Sequence, residues 1–178
     1  MRLEPLHTYY FVHKVKNYKQ HNKKLLELIK RIPEHKYQEI SHTDWQLPRG
    51  YPREYLKYFY KMITPIMDTM RTRLKMKDWA IDNGWFQRYR KTNFHPWHIH
   101  PGCNYTNAYY LQLPDEAVAP QIIDQFTGKI IKLNVKEGEI VSIPSPILHR
   151  SPVNKGSKIK TIIAFNSNFY DYAPNDYN

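Results

Sequence analysis

The sequence predicts a mainly β fold, a small barrel or jelly roll braced by two N-terminal helices in an α+β arrangement, and three observations carry that prediction. From about Lys77 onward, short runs of β-branched and aromatic residues alternate with Pro, Gly, Asn and Asp, the rhythm of strands at regular spacing. About eight such runs are enough to close a barrel or stack two sheets. Before them, two stretches repeat their apolar residues at a 3.6-residue period, the mark of helices with one buried face. The length of 178 residues is that of one core.

Residues 6–15 are aromatic and β-branched and predict a first strand. In residues 18–32, Leu25, Leu28, Ile29 and Ile32 fall on one helical face, and Pro33 ends the helix. Residues 41–51 hold Thr43-Asp44-Trp45 and Pro48-Arg49-Gly50 and predict a loop. Pro52 then suits a first helical turn, and Tyr55, Phe59, Met62, Ile66, Met70 and Leu74 keep helical spacing. Pro65 is expected to kink that helix. The following strands are expected at residues 84–90, 97–100, 107–113, 121–123, 129–134, 140–143, 149–152 and 159–166. Without internal repeat or low-complexity linker, residues 1–178 are expected to form a single domain: strand and helices over 1–76, β core over 77–168 and a tail over 169–178.

Composition narrows the chemistry. Cys103 is the only cysteine, which excludes an internal disulfide and a cysteine-based zinc cluster, so metal chemistry must rest on His and carboxylates. No window offers the roughly 18 apolar residues of a membrane span, and the start reads as no signal peptide, so a soluble, cytoplasmic protein is expected. The net charge of +11 lies entirely in residues 1–100, with 20 Lys and Arg against 9 Asp and Glu. Solvated basic helix faces are the first reading; a surface for nucleic acid, phosphate or an acidic partner is the second.

Three of nine histidines stand where chemistry can be argued: His98 and His100 in Trp97-His98-Ile99-His100-Pro101-Gly102, and His149 in Pro146-Ile147-Leu148-His149-Arg150-Ser151-Pro152. Residues i and i+2 of a strand share a side, so His98 and His100 can reach one ion. Two or three imidazoles on one face of a small barrel leave coordination positions open for further ligands. An isolated His-x-His pair is a weak signal, and buried structural histidines match it as well.

The order of several motifs is more specific. His95-Pro96-Trp97-His98-Ile99-His100-Pro101-Gly102, then Thr106-Asn107-Ala108-Tyr109-Tyr110-Leu111-Gln112-Leu113-Pro114, then Gly138-Glu139-Ile140-Val141-Ser142-Ile143-Pro144-Ser145 with His149, then Lys160-Thr161-Ile162-Ile163-Ala164-Phe165-Asn166, resemble the short 2-oxoglutarate and iron(II) dependent oxygenases. The resemblance covers roughly residues 79–168, and Thr43-Asp44-Trp45 extends it toward versions encoded by phages of marine bacteria. It implies a double-stranded β-helix, a jelly roll of the cupin-like barrel kind, and an oxidoreductase using Fe(II), 2-oxoglutarate and dioxygen, with ascorbate as a supporting reductant.

Carried over by position, the resemblance implies that His98 and His149 bind iron, with His100 at the place where wider relatives carry Asp or Glu. That exchange removes one negative charge from the metal's surroundings and brings the site close to a three-histidine cupin. Lys160 stands where the family's basic residue pairs with the far carboxylate of 2-oxoglutarate, a Lys in place of the more usual Arg, which gives up the bidentate fork. Strand parity offers Tyr109 or Tyr89 as a hydroxyl donor to that carboxylate, and Arg150 competes as anchor although its position beside a ligand turns it to the other face. His95 is a reserve ligand whose odd parity argues against it. Leu111, Ile143 and Phe165 are expected to keep water from the centre. Two other readings stand beside the oxygenase: a three-histidine metal protein that uses no 2-oxoglutarate, and a basic nucleic-acid or acidic-partner binding module. The substrate, small molecule or peptidyl, and the oligomeric state are not encoded in any motif.

Overall fold

The computed structural model describes residues 8–171 and contains eleven strands and two long helices. In chain order these are β1 (Phe11–Lys14), α1 (Tyr18–Ile29), β2 (His35–Tyr37), β3 (Ser41–Thr43), α2 (Glu54–Arg73), β4 (Asp78–Tyr89), β5 (His95–His98), β6 (Tyr105–Gln112), β7 (Gln121–Ile123), β8 (Ile130–Lys132), β9 (Glu139–Pro144), β10 (His149–Ser151) and β11 (Lys160–Tyr170). They form a seven-stranded sheet ordered β1-β9-β6-β11-β4-β3-β2 and a four-stranded sheet ordered β5-β10-β7-β8. Every pairing is antiparallel. This is a jelly roll of the double-stranded β-helix type, as expected.

Side-chain alternation sorts the large sheet into two faces. Phe86, Tyr109, Leu111, Ile140, Ile163 and Phe165 belong to a core shared with the helices. Their neighbours Trp85, Tyr110, Val141, Ile143, Ile162 and Ala164 face the second core, between the sheets. The register holds the two sets apart: Tyr109 pairs with Ile163 and Ile140, while Tyr110 pairs with Ile162.

Both helices lie on the first face. Leu25 and Ile29 of α1, and Tyr55, Phe59, Ile63, Met67 and Met70 of α2, form the buried stripe that the 3.6-residue period requires. Glu54 in the first turn of α2, and Arg71 and Arg73 in its last, suit the helix dipole. The helix runs through Pro65 as one element, with that proline exposed, so the missing backbone donor falls on the solvent side.

Several expectations change in detail. The first strand is confined to Phe11–Lys14, and residues 1–7 and 172–178 lie outside the described part. The segment expected as a loop from residue 41 opens with β3, and β2 was carried by no sequence pattern. Both are three-residue strands at the edge of the large sheet, too short for a period to register. The last strand extends to Tyr170, past the expected tail boundary.

Phe59 joins the helices to the sheet, its ring 5.6 Å from Tyr109 and 5.4 Å from Phe165. Phe59→Ala is expected to lower stability by about 3–5 kcal/mol in urea titration, because a cavity at a fully buried junction does not collapse.

Candidate metal centre and its pocket

The second core opens between the sheets into a cavity lined by Tyr89, Tyr110, Val141, Ile162 and Lys160, with histidines at its rim. β5 and β10 are antiparallel neighbours with His98 opposite His149. His100 lies beyond the end of β5, where its backbone N–H donates to the Ser145 carbonyl at 3.2 Å. The Nε2 atoms of His98 and His100 are nevertheless 3.1 Å apart. His98, His100 and His149 each offer a nitrogen, and these atoms all lie within 4.8 Å of one another.

Each Nδ1 is directed at an oxygen that can only accept. His98 donates to the Pro96 carbonyl at 2.8 Å, His149 to the Ile147 carbonyl at 2.9 Å, and His100 to Oδ1 of Asn166 at 2.8 Å. These bonds place the proton of each neutral ring on Nδ1 and leave Nε2 bare toward the common point. Bare nitrogens so close repel unless a cation lies between them. Two nitrogens at about 2.1 Å from one ion stand roughly 3.0 to 3.4 Å apart, a span that includes the His98–His100 separation of 3.1 Å. The residues therefore fit a divalent metal. No Asp or Glu lines the cavity among the described residues, so the donor set is three imidazoles.

His95 also reaches the cavity, stacked on His98 with ring centroids 3.9 Å apart. Its odd parity is undone by a register shift between His149 and Ser151, which pair with His98 and His95. It stands outside the group of three converging nitrogens.

Lys160 is fully buried, and its Nζ donates to the Val118 carbonyl and to Oγ of Ser151, both at 2.7 Å. The rings of Tyr89 and Tyr110 flank it at 4.9 and 5.6 Å. Among the described residues no carboxylate pairs with it, and burial pushes its pKa down to about 7.

The other proposed anchors separate. Tyr89 lines the cavity, its hydroxyl donating to Oε1 of Gln87 at 2.7 Å. Tyr109 does not: it faces the helices, and its hydroxyl bonds Oδ1 of Asn22 at 2.5 Å. Of the two expected hydroxyl donors only Tyr89 reaches the cavity, and Tyr110, the neighbour of Tyr109 on β6, is the second tyrosine ring there. Arg150 borders the cavity, but its guanidinium stacks on Trp97 at 4.6 Å and donates through Nε to Gln121 at 2.7 Å, away from Lys160. Leu111 and Phe165 also face the helices, so the apolar walls are Ile143, Val141 and Ile162. Ser151 and Asn166 were given no role from the sequence. Ser151 shares the parity of His149 on β10, which was the available signal; the partnership of Asn166 with His100 spans 66 residues and left none.

No protein-family model matches the sequence, and no curated protein does. The backbone is similar to those of 2-oxoglutarate and iron(II) oxygenases. A prolyl-4-hydroxylase from Pseudomonas putida aligns over 92% of this chain and 93% of its own, at 12% identity and TM-score 0.64. HygX from Streptomyces hygroscopicus, solved with nickel and 2-oxoglutarate bound, aligns over 92% and 85%, at 12% identity and TM-score 0.66. The viral collagen prolyl hydroxylase of Paramecium Bursaria Chlorella virus-1, in its 2-oxoglutarate complex, aligns over 92% and 96%, at 16% identity and TM-score 0.59. At these identities the likeness establishes a shared fold. No helix among the described residues is long and apolar enough to cross a membrane.

Burial holds His149 and His95 down to about 3 and lowers His98 and His100 as well. An unfolded chain protonates its histidines near the ordinary value of about 6.5, whereas the folded one resists until much lower pH. The stability contributed by the neutral rings is therefore complete above that value and lost as pH falls below it. The urea midpoint of the metal-free chain is expected to drop between pH 7.5 and pH 5, whereas cobalt(II) uptake by the chain that stays folded, followed by absorbance, is expected to persist across that interval because its imidazoles remain neutral there.

Proposed function

We propose that the chain is a non-haem iron(II) and 2-oxoglutarate dependent dioxygenase that hydroxylates a substrate not yet identified. One observation carries the reading: three bare imidazole nitrogens converge beside a cavity that also holds a buried lysine with no carboxylate partner among the described residues. A buried cation lacking a counter-ion is costly, and an anionic ligand entering the cavity offsets that cost. The neighbours solved with 2-oxoglutarate support the choice of anion.

When bound, iron(II) and 2-oxoglutarate supply the oxidising power that inserts one atom of dioxygen into a C–H bond, the other leaving in succinate as carbon dioxide is released. The chain's own part is positioning. His98, His100 and His149 hold the cation through Nε2, and Pro96, Asn166 and Ile147 fix the ring orientations. Lys160 and the Ser151 hydroxyl receive the far carboxylate of the co-substrate. Tyr89, Tyr110, Val141 and Ile162 keep the remaining wall free of water.

The absence of a carboxylate from the donor set favours a second reading, a three-histidine metal protein that binds no 2-oxoglutarate. Succinate release separates the two. Purified protein with iron(II), ascorbate and 2-oxoglutarate is expected to form succinate even without substrate, and the double variant His98→Ala His149→Ala, checked for folding by circular dichroism, to form none above the iron blank. Equal succinate from both sinks the oxygenase.

Lys160→Met gives a sharper test. It removes the burial penalty of the cation but orphans two acceptors, so these effects largely offset and Tm in the absence of ligand is expected to hold within a few degrees. The rise in Tm that 2-oxoglutarate gives the metal-loaded protein is expected to disappear.

A further inference from the structure

Thr43-Asp44-Trp45, where the chain leaves β3, has no part in holding metal or co-substrate, yet it is heavily braced. Asp44 is fully buried, and its Oδ1 accepts from the backbone N–H of Phe86 at 3.0 Å. Its Oδ2 accepts from Nε of Arg53 at 2.8 Å and from the hydroxyl of Tyr55 at 2.6 Å. Thr43 Oγ1 donates to the Phe86 carbonyl at 2.7 Å and accepts from the N–H of Trp45 at 3.1 Å. All this fixes the backbone of Trp45, which is 50% exposed. Its ring meets Trp85 edge-on, centroids 4.5 Å apart, and Trp85 in turn lies parallel to His100 at 6.3 Å. The three rings form a wall that begins in solvent and ends at the metal centre.

That wall borders a groove of about 380 Å³, in the size range of small-molecule sites. It shares Trp85, Gln87, His95, His98 and His100 with the cavity, and Lys160 is not among its lining. Tyr37, Ile99 and Pro101 supply apolar surface, and Asn83, Gln87 and Asn166 supply amides. No Lys, Arg, Asp or Glu lines it among the described residues, in a chain of net charge +11. The nearby Arg88 and Arg90 are both tied to Glu34, at 2.9 and 2.6 Å.

Resting on the metal-centre reading, we propose that this groove receives the substrate, that it selects an uncharged, ring-bearing group, and that Trp45 is the specificity-determining residue against which the ring packs. Beyond an ion held by His98 and His100, an ionic group would find no counter-charge in the groove wall to replace its water. A flat neutral ring gains an offset or edge-on aromatic contact, and the groove offers its polar edges the Asn83 amide together with the NH2 groups of Gln87 and Asn166, whose carbonyl oxygens are held by Tyr89 and His100.

Benzamide, benzoate and benzamidinium share one ring and differ in charge, so they serve as probes. Their binding to the metal-free chain is read at the indole N–H resonance of Trp85, with Trp79, whose Nε1 bonds Asp68 on α2, as an internal control. Working without metal keeps the result independent of whether an ion enters the histidine site, which the cobalt(II) titration reports. Benzamide is expected to bind more tightly than either charged probe, to weaken about three- to tenfold in Trp45→Ala, and to recover most of that loss in Trp45→Phe. The proposal is overturned if benzoate or benzamidinium binds as well as benzamide, if Trp45→Ala leaves the benzamide Kd unchanged, or if Trp79 shifts alongside Trp85.

Discussion

The two-residue period of β6, β9 and β11 governs where chemistry is possible in this molecule. Within each strand, alternate side chains serve two unrelated purposes: one set closes against α1 and α2, and the other walls a cavity that must stay open. The strands cannot slide to serve one purpose better, since a shift of one position would carry Tyr109 and Ile163 into the cavity and Tyr110 and Ile162 into the helices. The helices supply the packing energy that fixes the register, and the register delivers Lys160, Tyr110 and Val141 to one space.

The cavity itself is built against stability. It collects four lowered imidazoles and a lysine whose Nζ has two neutral acceptors and, among the described residues, no carboxylate. Groups that would rather be hydrated are held dry by a fold that draws its stability elsewhere, from the aromatic junction of Phe59, Tyr109 and Phe165. Such an imbalance is usual at binding sites, and under the proposed function a cation and an anion would satisfy the unmet groups together.

Much of this was legible in the sequence because it is local. The apolar stripe of α2, the strand rhythm after Lys77 and the His98-x-His100 spacing are short-range patterns, and the ordered motifs placed His149 and Lys160 beside them. What escaped depends on geometry that no period encodes. Choosing Tyr110 over Tyr109 requires knowing which face of β6 meets the helices. The return of His95 to the cavity requires the register shift opposite it, and the pairing of Asn166 with His100 joins segments that meet only in three dimensions.

Asp44 has a mechanical consequence. One carboxylate joins the chain leaving β3, the start of α2 through Arg53 and Tyr55, and the middle of β4 through Phe86. The outer lip of the groove and the helical layer are thereby a single rigid piece, and the lip cannot swing outward without fraying the first turn of α2. For the proposed substrate groove this means a lip braced at three points by one side chain rather than a free-standing loop.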